Sequence, residues 1–160
     1  RHGLRCEVWG NDRAWLQAVD SRMTERVQPL EHERKFRGTA RFSRQTLQDR
    51  IRDVMDIDLS GVDPNSWFTI QSANQYGWVA KIQVGPARAS APSAALFREN
   101  LLARQSVDGR SLRSQCFTVS YNADLDCFIF DVYGYGHGCG MSQWGAIGYA
   151  RNRLGLSGIF

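Results

Sequence analysis

Apolar and polar residues alternate along two pairs of short runs, and both pairs predict antiparallel strands. Trp67 to Gln71 and Tyr76 to Val84 form the first pair. In its second run Tyr76, Trp78, Ala80, Ile82 and Val84 alternate with Gly77, Val79, Lys81 and Gln83, the two-residue period of a half-buried strand. Gly85-Pro86 ends that run. Phe117 to Tyr121 and Cys127 to Tyr133 form the second pair, a hairpin turned by Asn122-Ala123-Asp124. Helical spacing appears after Ser43, a good N-cap, with Leu47, Ile51, Val54 and Met55 on one face. Gly61 and Asp63-Pro64-Asn65-Ser66 mark the turn beyond it. A loop from Arg88 to Pro92 leads to a second short helix, capped by Ser93 and carrying Leu96, Phe97 and Leu101. Near the start, Val8-Trp9-Gly10 and Ala14 to Val19 are apolar enough to pack. The charged stretch from Met23 to Arg41 reads as a solvated connection, with His32 an exposed side chain within it. The pattern predicts an α+β fold, antiparallel strands with a few packed helices, in one domain spanning 1–160 and without internal repeats.

One stretch departs from simple periodicity. From Tyr133 to Ala150 the chain reads YGYGHGCGMSQWGAIGYA. Glycines alternate with other residues up to Gly140, Met141-Ser142-Gln143 follows, and Ala146, Ile147, Ala150 and Leu154 then recur at helical steps. A strand, a glycine-rich turn and a helix start are therefore expected at the C-terminal end, with Gly155 as the helix C-cap. Glycine permits positive φ and lets a ligand approach the backbone. Successive N–H groups in such a turn can converge on an anion or a sugar oxygen, and a helix opening beside it adds unpaired donors. His137 is the titratable group of the turn that changes charge near neutral pH. Ser142 suits an N-cap, and Gln143 can donate and accept at once. The same pattern also serves as a packing device before a helix.

Composition narrows the classes. With 160 residues, 42% hydrophobic and 22% charged, the chain is an ordinary globular domain rather than a disordered one. A net charge of +4 favours anionic partners. Only Lys35 and Lys81 are lysines and the arginines are scattered, so no basic stripe points to nucleic acid. No apolar run approaches the roughly 20 residues of a membrane helix. The four cysteines, Cys6, Cys116, Cys127 and Cys139, form no Cys-x-x-Cys pair, which disfavours a zinc knuckle. Cys116 and Cys127 sit in adjacent predicted strands and could face each other across the hairpin; four separate thiols fit equally well. His137 and Cys139 are two residues apart, with no further ligand pair nearby.

The string His137-Gly138-Cys139-Gly140-Met141-Ser142-Gln143-Trp144-Gly145-Ala146, preceded by Gly136, resembles the signature of the stage II sporulation protein D family, which includes the amidase-enhancer proteins. Looser likenesses run from Val8 to Phe160: the Trp9-Gly10 segment, the helix start at Phe42 to Leu47, and Phe97-Arg98 with Leu101 ahead of a strand Leu112 to Phe117. The resemblance implies peptidoglycan remodelling outside the cytoplasm, at the bacterial wall or cell surface. The implied reaction is lytic transglycosylation of glycan strands stripped of their stem peptides. The implied partners are those strands and a cell-wall amidase. No cofactor is implied, apart from a structural zinc held in the family by upstream His and Cys positions that have no counterparts here.

The family's acid is a glutamate in an alanine-rich helix, and that pattern is absent. Glu7, Glu25, Glu31, Glu33 and Glu99 are the only glutamates, and none has that context. The expectation is a partial domain lacking the N-terminal glutamate region. What carries over is the second wall of the cleft. His137, Ser142 and Gln143 are the candidates for orienting sugar or stabilising developing charge, with Tyr135, Gly136, Gly138, Gly140, Met141 and Trp144 as substrate-binding candidates. A non-catalytic wall-binding or amidase-stimulating module is the competing expectation.

Overall fold

The computed structural model describes residues 37–74, 77–86, 97–102, 107 and 112–134. All of them belong to one compact unit, Arg37–Gly136. Within it the fold is α+β: one helix and five antiparallel strands in two sheets. The strands are β1 (Arg37–Ser43), β2 (Phe68–Ala73), β3 (Val79–Val84), β4 (Cys116–Asn122) and β5 (Cys127–Tyr133), and the helix is α1 (Arg44–Met55). One sheet has the order β1-β5-β4 and the other pairs β2 with β3. An isolated antiparallel bridge, Trp78 to Cys116, ties β3 to β4, and the Val79 N–H donates to the Gln115 carbonyl at 3.0 Å.

β1 corrects the sequence reading. The charged stretch, expected as a solvated connection, ends in a regular strand that pairs with β5 from Arg37↔Tyr133 to Ser43↔Cys127. Its inward side chains are small until the last: Gly38, Ala40 and then Phe42, the latter two buried. Arginines and a threonine fill the outward positions, so the alternation carries little hydrophobic contrast. The predicted hairpin is present, with a turn one residue longer than expected, at Ala123–Asp126. The predicted strand Leu112 to Phe117 begins as strand only at Cys116; Leu112, Ser114 and Gln115 are buried in irregular backbone.

The helix begins where expected. Ser43 is the N-cap, and its Oγ accepts from the Thr46 N–H at 3.1 Å. The Arg44 N–H, another donor with no partner inside the helix, donates to the Asp126 carbonyl at 3.0 Å. Leu47 and Ile51 are fully buried and Met55 packs against the core, but Val54 is exposed. The helix ends at Asp56, which takes a left-handed conformation and donates its N–H to the Arg52 carbonyl. Asp63 then caps a single tight turn, Pro64–Ser66.

The β2–β3 pair follows prediction with a shift. Two register irregularities, between Ile70 and Ser72 and between Ser72 and Ala73, disturb the alternation. Val79 is therefore buried along with Ile82 and Val84, although the alternation placed it opposite them. Trp78 is half-buried, and Tyr76 lies outside the described residues. Phe97 and a π-type turn, Arg98–Leu102, stand where the second helix was expected, with Phe97, Leu101 and Leu102 buried. Ser93, Leu96 and the loop 88–92 lie outside the described residues, as do the apolar segments near the start, His32, and the C-terminal helix with Gly155.

An aromatic cluster joins the pieces. Trp67 stacks on Phe128 at 5.1 Å, and Phe68 meets Phe97, Phe128 and Phe130. Phe130 also meets Phe42 edge-on at 5.7 Å and Phe117 at 5.8 Å. The Trp67 indole N–H is satisfied by the Val62 carbonyl at 3.0 Å.

At the hairpin turn Asp126 has φ +44°, a conformation that Asp and Asn tolerate better than most residues. Its Oδ1 accepts from Arg44 Nε at 2.8 Å and from the Tyr121 hydroxyl at 2.6 Å. The hydrogen bonds from Arg44 and then Tyr121 hold the Asp126 carboxyl below its ordinary pKa. A depressed carboxyl contributes stability that is present above the unfolded-state pKa, about 4, and lost as pH falls through the lower folded value. The hydrogen bond to Asp126 raises Tyr121, so its contribution is present below about pH 10 and lost above it. Asp126→Asn keeps a residue that tolerates this backbone but removes the charge. Thermal melts from pH 2 to 8 should show a flatter acid limb for this variant than for the parent. Identical limbs would refute a coupled contact.

Candidate functional site

His137, Ser142 and Gln143 lie outside the described residues, as do Tyr135, Gly136, Gly138, Gly140, Met141 and Trp144. The structure does describe the strand end from which the glycine-rich stretch departs. β5 runs to Tyr133, and Gly134 follows with φ +79°. That conformation is open to glycine and strained for residues with a Cβ. A Cβ on Gly134 would meet the Ser114 Oγ at 3.7 Å, an ordinary contact, so torsion rather than space selects glycine here.

Side chains in the last rows of the sheet surround this exit. Arg37, Tyr133 and Cys116 stand opposite one another across β1, β5 and β4. Thr39, Asp131 and Thr118 form the next row, and Arg41, Ile129 and Ser120 the third. These positions share the face opposite Phe128, Phe130 and Val132, because side chains alternate along each strand. Tyr133 is exposed, and the Arg37 guanidinium lies 5.7 Å from its ring centroid. Thr39 Oγ1 donates to Asp131 Oδ1 at 2.8 Å. Beside Tyr133 lies a mainly apolar hollow of about 310 Å³, walled by Ile70, Ala73, Val79, Cys116 and Thr118.

The cysteines in this unit do not approach each other. Cys116 pairs with Tyr133 at one end of the β4–β5 ladder, and Cys127 pairs with Asn122 at the other, so the hairpin does not place them face to face. Both are free thiols. Burial pushes the Cys116 thiol up, partly opposed by a hydrogen bond with Ser114. A raised thiol is a poor nucleophile at neutral pH. Cys6 and Cys139 lie outside the described residues. Among the described residues, no three of His, Cys, Asp and Glu come together as a metal site, and no helix is long and apolar enough to cross a membrane.

Glu99 is the single glutamate among the described residues. It is exposed on the Arg98–Leu102 turn, with Arg98 Nη2 3.6 Å away.

The sequence reading missed the sheet face that carries exposed Arg37, Arg41 and Tyr133. The signal was present, because polar residues at 37, 39, 41 and 43 alternate with Gly38, Ala40 and Phe42. The surrounding charge concealed it. No family model matches this sequence, and no curated protein matches it either.

Proposed function

We propose that this chain binds the glycan strands of peptidoglycan and contributes one wall of a lytic transglycosylase cleft. The observation that carries this reading is the ordered string from Gly136 to Ala146, which resembles the sporulation protein D signature. The strand expected to precede that string is β5, and the positive φ at Gly134 supports a sharp change of direction after it.

In the proposed reaction the bond from the muramic acid C1 to its glycosidic oxygen breaks. An acid protonates the departing oxygen. The C6 hydroxyl oxygen of the same sugar bonds to C1, and its proton passes to the base, leaving a 1,6-anhydro end. His137, Ser142 and Gln143 would orient the sugar and stabilise charge developing at C1, where donors aimed at the transition state act most strongly. The extracytoplasmic face of a bacterial wall is the implied setting, and a cell-wall amidase the implied supplier of peptide-free strands.

Glu99 favours a second reading. An exposed glutamate beside an arginine is a poor general acid, which suits a non-catalytic glycan-binding or amidase-stimulating module. Incubation with peptide-free glycan strands separates the two. Products with anhydro ends, read by mass spectrometry, support the enzyme; retention on the glycan without products supports the binding module. Neither product nor retention overturns both. His137→Ala and Gln143→Ala should each weaken glycan retention several-fold while leaving the circular dichroism spectrum unchanged. Full retention by both variants would remove the glycine-rich stretch from the site.

A further inference from the structure

We infer that the outer face of the β1-β5-β4 sheet is a glycan-binding surface in its own right, one that takes a carboxylate-bearing polysaccharide strand. It rests on the function proposed above and adds where, outside the glycine-rich stretch, the strand is held.

The charges on this face are unbalanced. Arg37 and Arg41 are both exposed on β1. Among the described residues neither guanidinium pairs with a carboxylate; Arg37 touches the Tyr133 ring instead. The one carboxylate that the described residues place on the face, Asp131, is held by Thr39. Two guanidiniums against one carboxylate leave an excess of positive charge for an anionic partner.

Spacing points to a polymer. Arg37 and Arg41 are four residues apart on one strand, a separation of about 13 Å at the usual rise. A chain with repeated carboxylates can pair with both at once. Peptide-free muramic acid carries such a carboxylate on its lactyl ether. The remaining surface suits sugar. The Tyr133 ring and the adjoining apolar hollow of about 310 Å³ offer a place for a ring face or an N-acetyl methyl group. Thr118 and Ser120 add exposed hydroxyls along β4.

The test is co-sedimentation of the full chain with insoluble, peptide-free glycan strands. The parent is compared with Arg37→Gln/Arg41→Gln, on native glycan and on glycan whose carboxylates have been converted to amides. Single-stranded oligothymidylate is the competitor. The double variant should bind native glycan about fivefold more weakly, the scale expected of two exposed ion pairs. Parent and variant should bind amidated glycan equally. Unchanged binding by the double variant, or parent binding that is indifferent to amidation, overturns the inference while leaving the function proposed above intact. Failure of the parent to bind native glycan overturns both. Displacement of the glycan by oligothymidylate at lower concentration than by soluble glycan assigns the face to nucleic acid and also overturns the inference.

Discussion

Replacing Phe130 by alanine is expected to cost about 3–5 kcal/mol of folding stability. Phe130 is fully buried at the centre of β5, between the strands on either side. Its ring meets Phe42 from β1, Phe68 from β2, Phe117 from β4 and Phe97 from the segment before the π-type turn. Truncation therefore leaves a cavity bordered by most of the elements, and no single neighbour can move in to fill it without leaving its own contacts. Against a typical total of about 5–15 kcal/mol, the loss removes a large share of the stability of this unit. Urea denaturation followed by tryptophan fluorescence gives the measurement, with Trp67 stacked on Phe128 reporting the core. Phe130→Leu separates volume from ring geometry and should cost markedly less. A midpoint shift for Phe130→Ala worth under about 1 kcal/mol would mean that the cluster is not closely fitted around this ring.

Legibility in the sequence followed hydrophobic contrast. The β4–β5 hairpin and α1 were readable because Phe117, Phe128, Phe130, Leu47 and Ile51 are large, apolar and correctly spaced, and because Ser43 is an unambiguous cap. β1 was not readable, since two of its three inward positions are Gly38 and Ala40, which contribute little to any periodicity. Its strand character comes from pairing with β5, a long-range contact that local pattern does not encode. Val54 went the other way: its spacing suited the buried face, but it is the penultimate residue of the helix and is exposed. The row of Arg37, Tyr133 and Cys116 is a product of register, which brings together residues up to 96 positions apart in the chain. By contrast, the candidate residues of the glycine-rich stretch are adjacent in sequence, and this is why a motif could reveal them and not the sheet face.

Gly134→Ala should lower stability by about 1–2 kcal/mol, the ordinary cost of forcing a Cβ-bearing residue into the left-handed region. The cause is torsional. At φ +79° the backbone is strained for alanine, while the nearest atom to the new Cβ, Ser114 Oγ at 3.7 Å, is no obstacle. Gly134→Asn should cost less, because asparagine visits this region more readily, and Gly134→Val should cost more, because a β-branched residue there is a true outlier. The order Asn, Ala, Val in denaturation midpoints is therefore the signature of a torsional constraint. Equal losses for all three would indicate that bulk matters instead. The same series reports on function. The bend sets the direction of the chain as it leaves Tyr133 for the glycine-rich stretch, so a residue that relaxes φ toward negative values turns everything after it. Under the proposed function, glycan retention should fall in the same order as stability but further, since misdirection displaces the candidate donors even in molecules that remain folded. Retention should be measured well below the denaturation midpoint of each variant, where the folded fraction is close to one. Retention that tracks only the folded fraction would show that the bend is structural and that the glycan is held elsewhere.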